Sequence, residues 1–266
     1  MRTGLLQFRP VLAEPEQNIR KVKELLSPLE FDLIVLPELS NSGYFFGSAE
    51  DLEKSAEEID SGKFVNALRE ISHGKGAYIV SGICERSSGR YYNTSVLVHP
   101  TGRIDVYRKI HLFDTEKKWF TPGDKPPSVF EIEGSFGKVL TGMMICFDWF
   151  FPETARTLAL QGAQIICHPS NLVLSYCQKA MYARAVENRV FTVTANRTGT
   201  EFCGDNSLTF TGQSVMVSPK GEYLIIMNEF DERSAVVEID PQTALDKNVT
   251  SGNNLFTDRR KELYKL

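Results

Sequence analysis

Short apolar runs alternate with amphipathic stretches along this chain, and the alternation restricts the fold more than any other feature. The run "TGLLQF" precedes "PEQNIRKVKELLSPL", whose apolar residues Ile19, Val22, Leu25 and Leu26 recur at helical spacing, and "DLIVLPE" follows. Nearly continuous apolar runs such as "DLIVL" are expected of strands that are covered on both faces. The pattern therefore predicts an α/β fold with helices packed outside its sheets.

The rest of the chain predicts mixed sheets within one domain. A strand, helix, strand, helix and strand are predicted at "KVLTGMMIC", "FPETARTLALQ", "AQIICHP", "AMYARAVENR" and "VFTVTAN". The stretch "YYNTSVLVHPTGRIDVYRK" predicts an antiparallel pair, and "GQSVMVSP", "GEYLIIM" and "SAVVEID" predict three later strands. Because no repeat or low-complexity segment interrupts the series, we expect a single domain over residues 1–266. Its tail, from about 245 to 266, either packs on a partner subunit or folds back on its own domain.

Charge and hydropathy indicate a small-molecule ligand. The formal net charge is -4, the pI is near 5.7 and no dense Lys/Arg cluster is present, which gives no electrostatic reason to expect nucleic acid or an anionic membrane as a partner. No apolar run approaches the roughly 18 residues of a membrane span, and "MRTGLLQFRP" does not resemble an export signal. We therefore expect a cytoplasmic protein.

The cysteines and histidines do not form a recognisable metal or disulfide pattern. Five cysteines, an odd number without a C-x-x-C pair, fit neither a disulfide framework nor a zinc site. The four histidines are scattered along the chain. We expect no metal and no cofactor.

Three side chains could carry chemistry. Glu38 ends the run "DLIVLPE", at a strand terminus where α/β sheets usually place ligand sites; the alternative is a solvated loop charge. Arg108 and Lys109 in "VYRKIHLF" stand just before His111, which apolar residues flank, so at least one of the two cations would face the interior. A lysine there would need an anionic partner; the alternative is a surface lysine on an edge strand. Cys146 follows a strand and precedes a helix opened by Pro152, a context typical of exposed nucleophiles, although free cysteine is more often a small buried filler.

Taken jointly, Glu38, Lys109 and Cys146 resemble the Glu-Lys-Cys triad of the nitrilase, or carbon-nitrogen hydrolase, superfamily, in the family's order. Glu116 holds the position of a second family glutamate, ahead of the turn "FTPG". Small thermophilic archaeal nitrilase and amidase members are similar around "ICFDWFFPE". The surrounding motifs cover most of the chain: "LPEL…GY", "YRKIHLFD", "EKKWFTPGD", "ICFDWFFPETARTLALQGA", "HPSN" and "RAVENRVFTVTANR".

The resemblance implies a four-layer αββα sandwich that forms a homodimer, or a higher homo-oligomer, across its helices. The chemistry agrees with the residue types: a thiol of pKa about 8.5 needs a base or a nearby cation, which Glu38 and Lys109 would supply. The Phe147 backbone N–H would join Lys109 in binding an oxyanion. Glu116 would hydrogen-bond to this group, unless it is a surface charge in "TEKKW".

Other residues are expected to line a substrate pocket or to support the structure around it. Tyr44, Trp149 and Asn171 could line a substrate pocket, although aromatics in "FDWFF" also suit core or interface packing. His111 and His168 have no recognisable third partner for a Cys-His pair, and in the family the histidine of "KIHLF" looks structural.

The leading functional hypothesis is an amidase that cleaves a small amide through a cysteine thioester. Hydrolysis of an aliphatic nitrile is the close alternative, because the same thiolate can attack a nitrile carbon. Many true nitrilases carry Trp-Glu after the cysteine, whereas this chain has Phe147-Asp148, a pattern more typical of amide-hydrolysing branches. N-carbamoyl compounds are a third substrate class, and a catalytically silent interaction protein is a remote alternative.

Overall fold

Six α-helices and three short 3-10 helices lie in residues 1–264, the part of the chain that the computed structural model describes. The α-helices are α1 (Pro15–Leu26), α2 (Ala49–Ser55), α3 (Lys63–Lys75), α4 (Glu116–Trp119), α5 (Pro152–Leu160) and α6 (Cys177–Asn188). The 3-10 helices are Cys146–Phe150, Pro241–Leu245 and Lys261–Leu263. None of the helices among these residues is long and apolar enough to cross a membrane.

The strands of residues 1–264 form two large sheets and two small hairpins. In chain order they are β1 (Arg2–Gln7), β2 (Leu33–Val35), β3 (Tyr78–Ser87), β4 (Arg90–Val98), β5 (Ile104–Arg108), β6 (Val129–Gly134), β7 (Gly137–Met143), β8 (Ile165–Ser170), β9 (Phe191–Asn196), β10 (Thr200–Cys203), β11 (Asn206–Thr209), β12 (Val215–Val217), β13 (Tyr223–Ile226), β14 (Arg233–Glu238), β15 (Asn248–Thr250) and β16 (Asn253–Asn254).

Each large sheet has six strands and a parallel centre. The first has the order β14-β1-β2-β3-β4-β5, and the second has the order β13-β12-β9-β8-β7-β6. Strands β1, β2 and β3 are parallel, as are β7, β8 and β9. The strands outside these centres pair antiparallel. The sheets are therefore mixed, as the sequence predicted.

The two sheets pack face to face, with helices on their outer faces. Strand β1 lies against β9 and β3 lies against β8. One buried cluster fills the space between the sheets, with Leu5 and Val80 from the first sheet and Ile166 and Val193 from the second. Helices α1 and α3 cover the first sheet, and α5 and α6 cover the second. This arrangement confirms the predicted four-layer αββα sandwich.

Helix α1 illustrates why these residues adopt these elements. Pro15 occupies its first turn, where the missing N–H costs no hydrogen bond. Val22 and Leu26, four positions apart, lie on one face and pack into the buried cluster that contains Ile34. Complete burial of such a side chain contributes about 1.5–3 kcal/mol. The helix is thus held by its apolar stripe.

The structure adds elements that the sequence analysis did not predict, among them α2, α4, β6, the hairpin β10–β11 and the hairpin β15–β16. Within the tail, Phe256 packs against the core of its own chain, whereas Leu263 and Tyr264 are exposed. Lys265 and Leu266 of the predicted tail lie outside the described residues. The assignment of residues 1–266 to one domain stays a prediction.

Glu57 caps helix α3 and gives the fold a testable dependence on pH. Its carboxylate accepts the N–H groups of Phe64 at 3.0 Å and Val65 at 3.1 Å, yet burial raises its pKa from 4.5 to about 7. Between these values the folded carboxyl keeps a proton that the unfolded chain has released, so rising pH favours unfolding.

We predict that the free energy of unfolding falls from pH 5 to pH 8 and that Glu57→Gln reduces this fall. Urea denaturation at pH 5 and pH 8 measures the free energy of unfolding of each variant. The exposed carboxylate of Glu70, which pairs with Lys23 on the surface, provides the control variant Glu70→Gln. An equal pH dependence in wild type and Glu57→Gln would contradict the prediction.

Candidate active site

Glu38 lies just beyond the end of β2 and is completely buried. The neighbouring strand β3 approaches so closely that a Cβ at Gly82 would collide with the Glu38 backbone. Gly82 donates its N–H to Pro37 at 3.0 Å and accepts from the N–H of Ser40 at 2.9 Å. These two bonds fix the backbone on either side of Glu38. Glycine at position 82 is therefore required for the placement of this carboxylate.

Lys109 follows β5 and is also completely buried. Its Nζ donates to Oε1 of Glu38 at 2.7 Å and to Oε1 of Glu116 at 2.7 Å. Burial alone would lower the pKa of Lys109, but the negative charges of Glu116 and Glu38 outweigh burial and raise it above its ordinary value. Lys109 is therefore an ammonium ion held between two carboxylates.

Glu116 is the first residue of α4 and is held by donors on both oxygens. Oε1 accepts from the Tyr44 hydroxyl at 2.9 Å as well as from Lys109, and Oε2 accepts from the N–H of Phe113 at 3.2 Å. Burial raises the pKa of Glu116 to about 7, against the lowering effect of Lys109, and the negative charge of Glu38 raises it further. The predicted contact of Glu116 with the group is thus present in the structure.

Cys146 begins a 3-10 helix, with Met144 and Ile145 between it and the end of β7, and has a φ of +38°. This left-handed conformation is uncommon for a side chain other than glycine and is typical of residues exposed on a sharp strand-to-helix turn. Burial and the charge of Glu38 raise the pKa of its thiol well above the ordinary value, although Lys109 opposes them. The thiol is therefore neutral until a base removes its proton.

Asp148 holds this turn, a function that the sequence analysis did not assign to it. Its Oδ2 accepts from the N–H of Ile145 at 2.9 Å and from the Tyr107 hydroxyl at 2.8 Å. Its Oδ1 accepts from His111, through the backbone N–H at 3.3 Å and through Nδ1 at 2.8 Å. The residue is completely buried, so these donors replace water. No local sequence signal could have indicated this function, because Tyr107 and His111 are far from Asp148 along the chain.

The two histidines near the site contact backbone and scaffold atoms. His168 is completely buried, and its Nε2 donates to the carbonyl of Cys146 at 2.9 Å. Burial lowers the pKa of His168 to about 4, so its ring is neutral. His111 stacks on Phe151 with ring centroids 3.7 Å apart. The stacking of His111 agrees with the structural role that the family resemblance implied for it, and His168 likewise contacts scaffold atoms.

Several polar groups around Cys146 are free to bind a ligand. Oε2 of Glu38 is buried and has no hydrogen-bond partner among residues 1–264, whereas Oε1 accepts from Asn93 at 2.6 Å and from Lys109. Lys109 uses two of its three protons on the carboxylates. The carbonyl of Asn171 lies 3.8 Å from Sγ of Cys146. The site therefore has an acceptor next to the sulfur, in Asn171, and a carboxylate and an ammonium with unused hydrogen-bonding capacity, in Glu38 and Lys109, whose charges act on the thiol.

A small cavity of about 20 Å³ reaches Cys146, and the thiol residue is 6% exposed. Such a volume holds about one water molecule in this conformation. Apart from Cys146 and Asn171, its described lining is apolar, which favours a small neutral ligand. The predicted residues Phe147, Trp149 and Asn171 lie in this lining, and Tyr44 lies behind it against Glu116. The remaining lining residues are Phe113, Leu172, Val173 and Leu174.

Comparison with known proteins identifies the family. The carbon-nitrogen hydrolase family matches residues 2–246. The chain is 43% identical over 267 residues to a nitrilase of Pyrococcus abyssi, covering 99% of both chains. It is 38% identical over 212 residues to an (R)-stereoselective amidase of Pseudomonas sp., covering 79% of this chain and 73% of the relative. The chain therefore belongs to the carbon-nitrogen hydrolase family.

A solved structure shares the fold. It is a mutant of the amidase from Nesterenkonia sp. AN1, with the acetamide moiety of fluoroacetamide added covalently at the active site cysteine. The TM-score is 0.78 at 27% identity, and the match covers 99% of this chain and 95% of the amidase chain. Both comparisons agree with the predicted superfamily.

We predict that Asp148→Asn destabilises the protein and slows any reaction at Cys146. In the variant, the side-chain NH₂ group of asparagine would face donors such as the Ile145 N–H and the Tyr107 hydroxyl, which now donate to Asp148. Loss of a charged acceptor costs about 2–4 kcal/mol. Urea denaturation measures the stability, and the rate of Cys146 alkylation measures reactivity. Asp105→Asn, which removes a partly exposed partner of His99 and Arg103, is the control. Unchanged stability in Asp148→Asn would refute the scaffold role.

Proposed function

We propose that this protein is an amidase that hydrolyses the C–N bond of a small neutral amide to a carboxylic acid and ammonia. The observation that carries the proposal is the buried group of Glu38, Lys109 and Glu116, whose charges act on the thiol of Cys146. Such a group has no evident use in stability, because burying charges costs solvation free energy that their attraction only partly returns. Perturbed ionisable groups beside a cavity are typical of catalytic sites.

In the first step, Oε2 of Glu38 takes the thiol proton of Cys146 as the sulfur forms a bond to the amide carbon. The carbonyl π electrons move to oxygen and give a tetrahedral oxyanion. The third proton of Lys109 and the N–H of Phe147 bind this oxyanion. The raised pKa of the thiol supports a concerted transfer, since a free thiolate is disfavoured before substrate binds.

In the second step, Glu38 returns the proton to the nitrogen, the C–N bond breaks and ammonia departs. The acyl group stays on Cys146 as a thioester. A water molecule then attacks the thioester carbon while Glu38 accepts one of its protons. Collapse of the second tetrahedral intermediate breaks the C–S bond, and Glu38 gives the proton back to the sulfur.

The polarity of the free groups favours an amide over a nitrile. The NH₂ group of an amide offers two donors, which match the unpaired Oε2 of Glu38 and the carbonyl of Asn171 near the sulfur. A nitrile nitrogen only accepts. The second candidate function is nitrile hydrolysis, which the 43% identity to a nitrilase of Pyrococcus abyssi favours. The same thiol and base would serve both reactions.

We also propose that the protein forms a homodimer, or a higher homo-oligomer, across the layer of α5 and α6. This outer face carries large apolar side chains in contact with solvent, namely Phe150, Leu160 and Tyr182, which are 48%, 45% and 39% exposed. Large apolar side chains exposed on one layer of a fold are candidates for an association surface. A second copy of the chain, with its identical face, is the partner that the proposal names.

We predict that wild type releases ammonia and forms an acyl adduct on Cys146, and that Cys146→Ala lowers kcat by roughly 10⁴- to 10⁶-fold. The screen compares kcat/KM for matched pairs, such as butyramide with butyronitrile, and for N-carbamoyl amines. Mass spectrometry after acid quenching locates the adduct. Cys203→Ala, which alters a partly exposed cysteine outside the cavity lining, should retain full activity.

Each outcome of the screen has a distinct meaning. Higher kcat/KM for nitriles than for the matched amides would replace amidase by nitrilase. Turnover in Cys146→Ala would end the proposed mechanism. Absence of turnover on every substrate, with a folded wild-type protein, would favour a catalytically silent interaction protein.

We predict that kcat/KM falls as pH drops below about 7, because Glu116 must be ionised to accept from Lys109, Tyr44 and Phe113 together. Protonation of a carboxyl whose pKa is about 7 removes that acceptor on the acid side. We call this fall of kcat/KM on the acid side of the pH profile the acid limb. Glu116→Gln should lack the acid limb and should be about 10²-fold less active than wild type. Glu57→Gln removes another carboxyl of pKa about 7 outside the site and should keep the limb. An unchanged limb in Glu116→Gln would contradict the prediction.

A further inference from the structure

A second buried ion pair lies behind the candidate active site. Arg197 follows β9 and is completely buried, and Glu201 lies on β10 and is 5% exposed. Nη1 of Arg197 donates to Oε1 of Glu201 at 2.5 Å, and Nη2 donates to the carbonyl of Pro10 at 3.0 Å. Because replacement of buried ion pairs by apolar residues is often neutral or stabilising, this pair calls for an explanation other than stability.

The carboxylate of Glu201 holds the loop that carries Tyr44. It accepts the N–H of Tyr44 at 3.1 Å and the N–H of Phe45 at 2.7 Å. The preceding residue, Gly43, has a φ of +76°, and a Cβ there would lie 2.7 Å from Oε1 of Glu201. The loop can approach Glu201 this closely only with glycine at position 43. Glu201 and this loop are thus fitted to each other.

Phe210 joins the ion pair to the tyrosine ring. The guanidinium carbon of Arg197 lies 4.0 Å from the centroid of the Phe210 ring. The ring of Tyr44 meets the same phenylalanine edge-on, with centroids 5.8 Å apart. Both the backbone and the ring of Tyr44 are therefore held from the side of Arg197 and Glu201.

The hydroxyl of Tyr44 carries this restraint to the site. It donates to Oε1 of Glu116 at 2.9 Å, the oxygen that also accepts from Lys109 at 2.7 Å. A displaced Tyr44 would leave Glu116 with one donor fewer and a freer position against Lys109. Because this hydrogen bond lowers the pKa of Glu116, its loss would raise that pKa further.

We propose that Arg197 and Glu201 are positioning residues: the pair holds the 43–45 loop so that the Tyr44 hydroxyl fixes Glu116 against Lys109. The inference rests on the proposed function of the site and adds residues that touch neither substrate nor the reacting atoms. It concerns a part of the chain, 197–210, that the catalytic steps do not otherwise use.

The test compares Glu201→Gln, Tyr44→Phe and the double variant with wild type. We expect Glu201→Gln to lower kcat by about 10- to 100-fold, because small misplacements of catalytic groups have effects of this size. KM should change less than kcat. The acid limb of the pH profile should move to higher pH in both single variants. The double variant should lose no more than the larger single loss, because both changes break one chain of contacts.

Gln164→Met is the matched control for a buried polar group. Gln164 is 4% exposed, donates to the carbonyl of Pro241 at 3.1 Å and accepts from the N–H of Leu140 at 3.0 Å, at the opposite end of β8 from Asn171. The variant Gln164→Met should lower the midpoint of urea unfolding without moving the acid limb of the pH profile. If Glu201→Gln does not fold, Arg197→Met/Glu201→Gln, which removes both charges together, takes its place.

Two outcomes separate the inference from the proposed function. If wild type turns over no substrate, the proposed function fails, and the pH dependence of Cys146 alkylation by iodoacetamide in the same variants then tests the positioning role. If Glu201→Gln behaves like the Gln164→Met control, with the acid limb unmoved and kcat per folded molecule unchanged, the positioning role is overturned.

Discussion

The burial of one ammonium ion is the constraint on which the site depends. Lys109 has no contact with solvent, and a cation removed from water is tolerated only with anions close by. Glu38 and Glu116 supply them, and each carboxylate in turn needs donors of its own. Asn93 supplies one to Glu38, and Tyr44 supplies one to Glu116. The buried charge of Lys109 is thus linked by hydrogen bonds to the segments that carry Glu38, Asn93, Glu116 and Tyr44. These contacts arrange the charged groups before any ligand binds.

The sandwich divides the proposed catalytic groups between its two sheets. Glu38 and Lys109 follow strands of the first sheet, whereas Cys146 follows a strand of the second. The proposed base and the proposed nucleophile therefore meet only because the sheets pack face to face. A hydrogen bond of 3.3 Å from Ser95 to the sulfur of Met143 crosses this interface near the site. Core packing between the sheets consequently sets the relative position of acid, cation and thiol.

Strand ends and residue types made much of the fold and the site predictable. The apolar runs before Glu38 and Cys146 predicted that both residues lie at strand ends. Arg108 and Lys109, just before the apolar-flanked His111, indicated a cation that faces the interior and needs an anionic partner. The function of Asp148 was not predictable in this way, because its partners Tyr107 and His111 become neighbours only after folding. Local pattern carries no information about such long-range contacts.

The hairpin β10–β11 shows the same limit. Its sequence, "TEFCGDNSLT", lacks a clear apolar alternation, and the pairing of Arg197 with Glu201 crosses a turn where helical spacing gives no guidance. The short helix α2 and strand β6 were also missed, since the two apolar residues of α2 and the three of β6 give too weak a period. What escaped prediction was therefore held by tertiary contacts rather than by local propensity.

The backbone of Cys146 has a further implication for how such a protein changes over generations. A left-handed backbone conformation costs roughly 1–2 kcal/mol in a residue other than glycine, so glycine would be less strained than cysteine at position 146. Under the proposed mechanism, Cys146→Gly would relieve this backbone strain and abolish turnover at the same time. The strain at Cys146 would therefore persist only in proteins that are selected for the reaction.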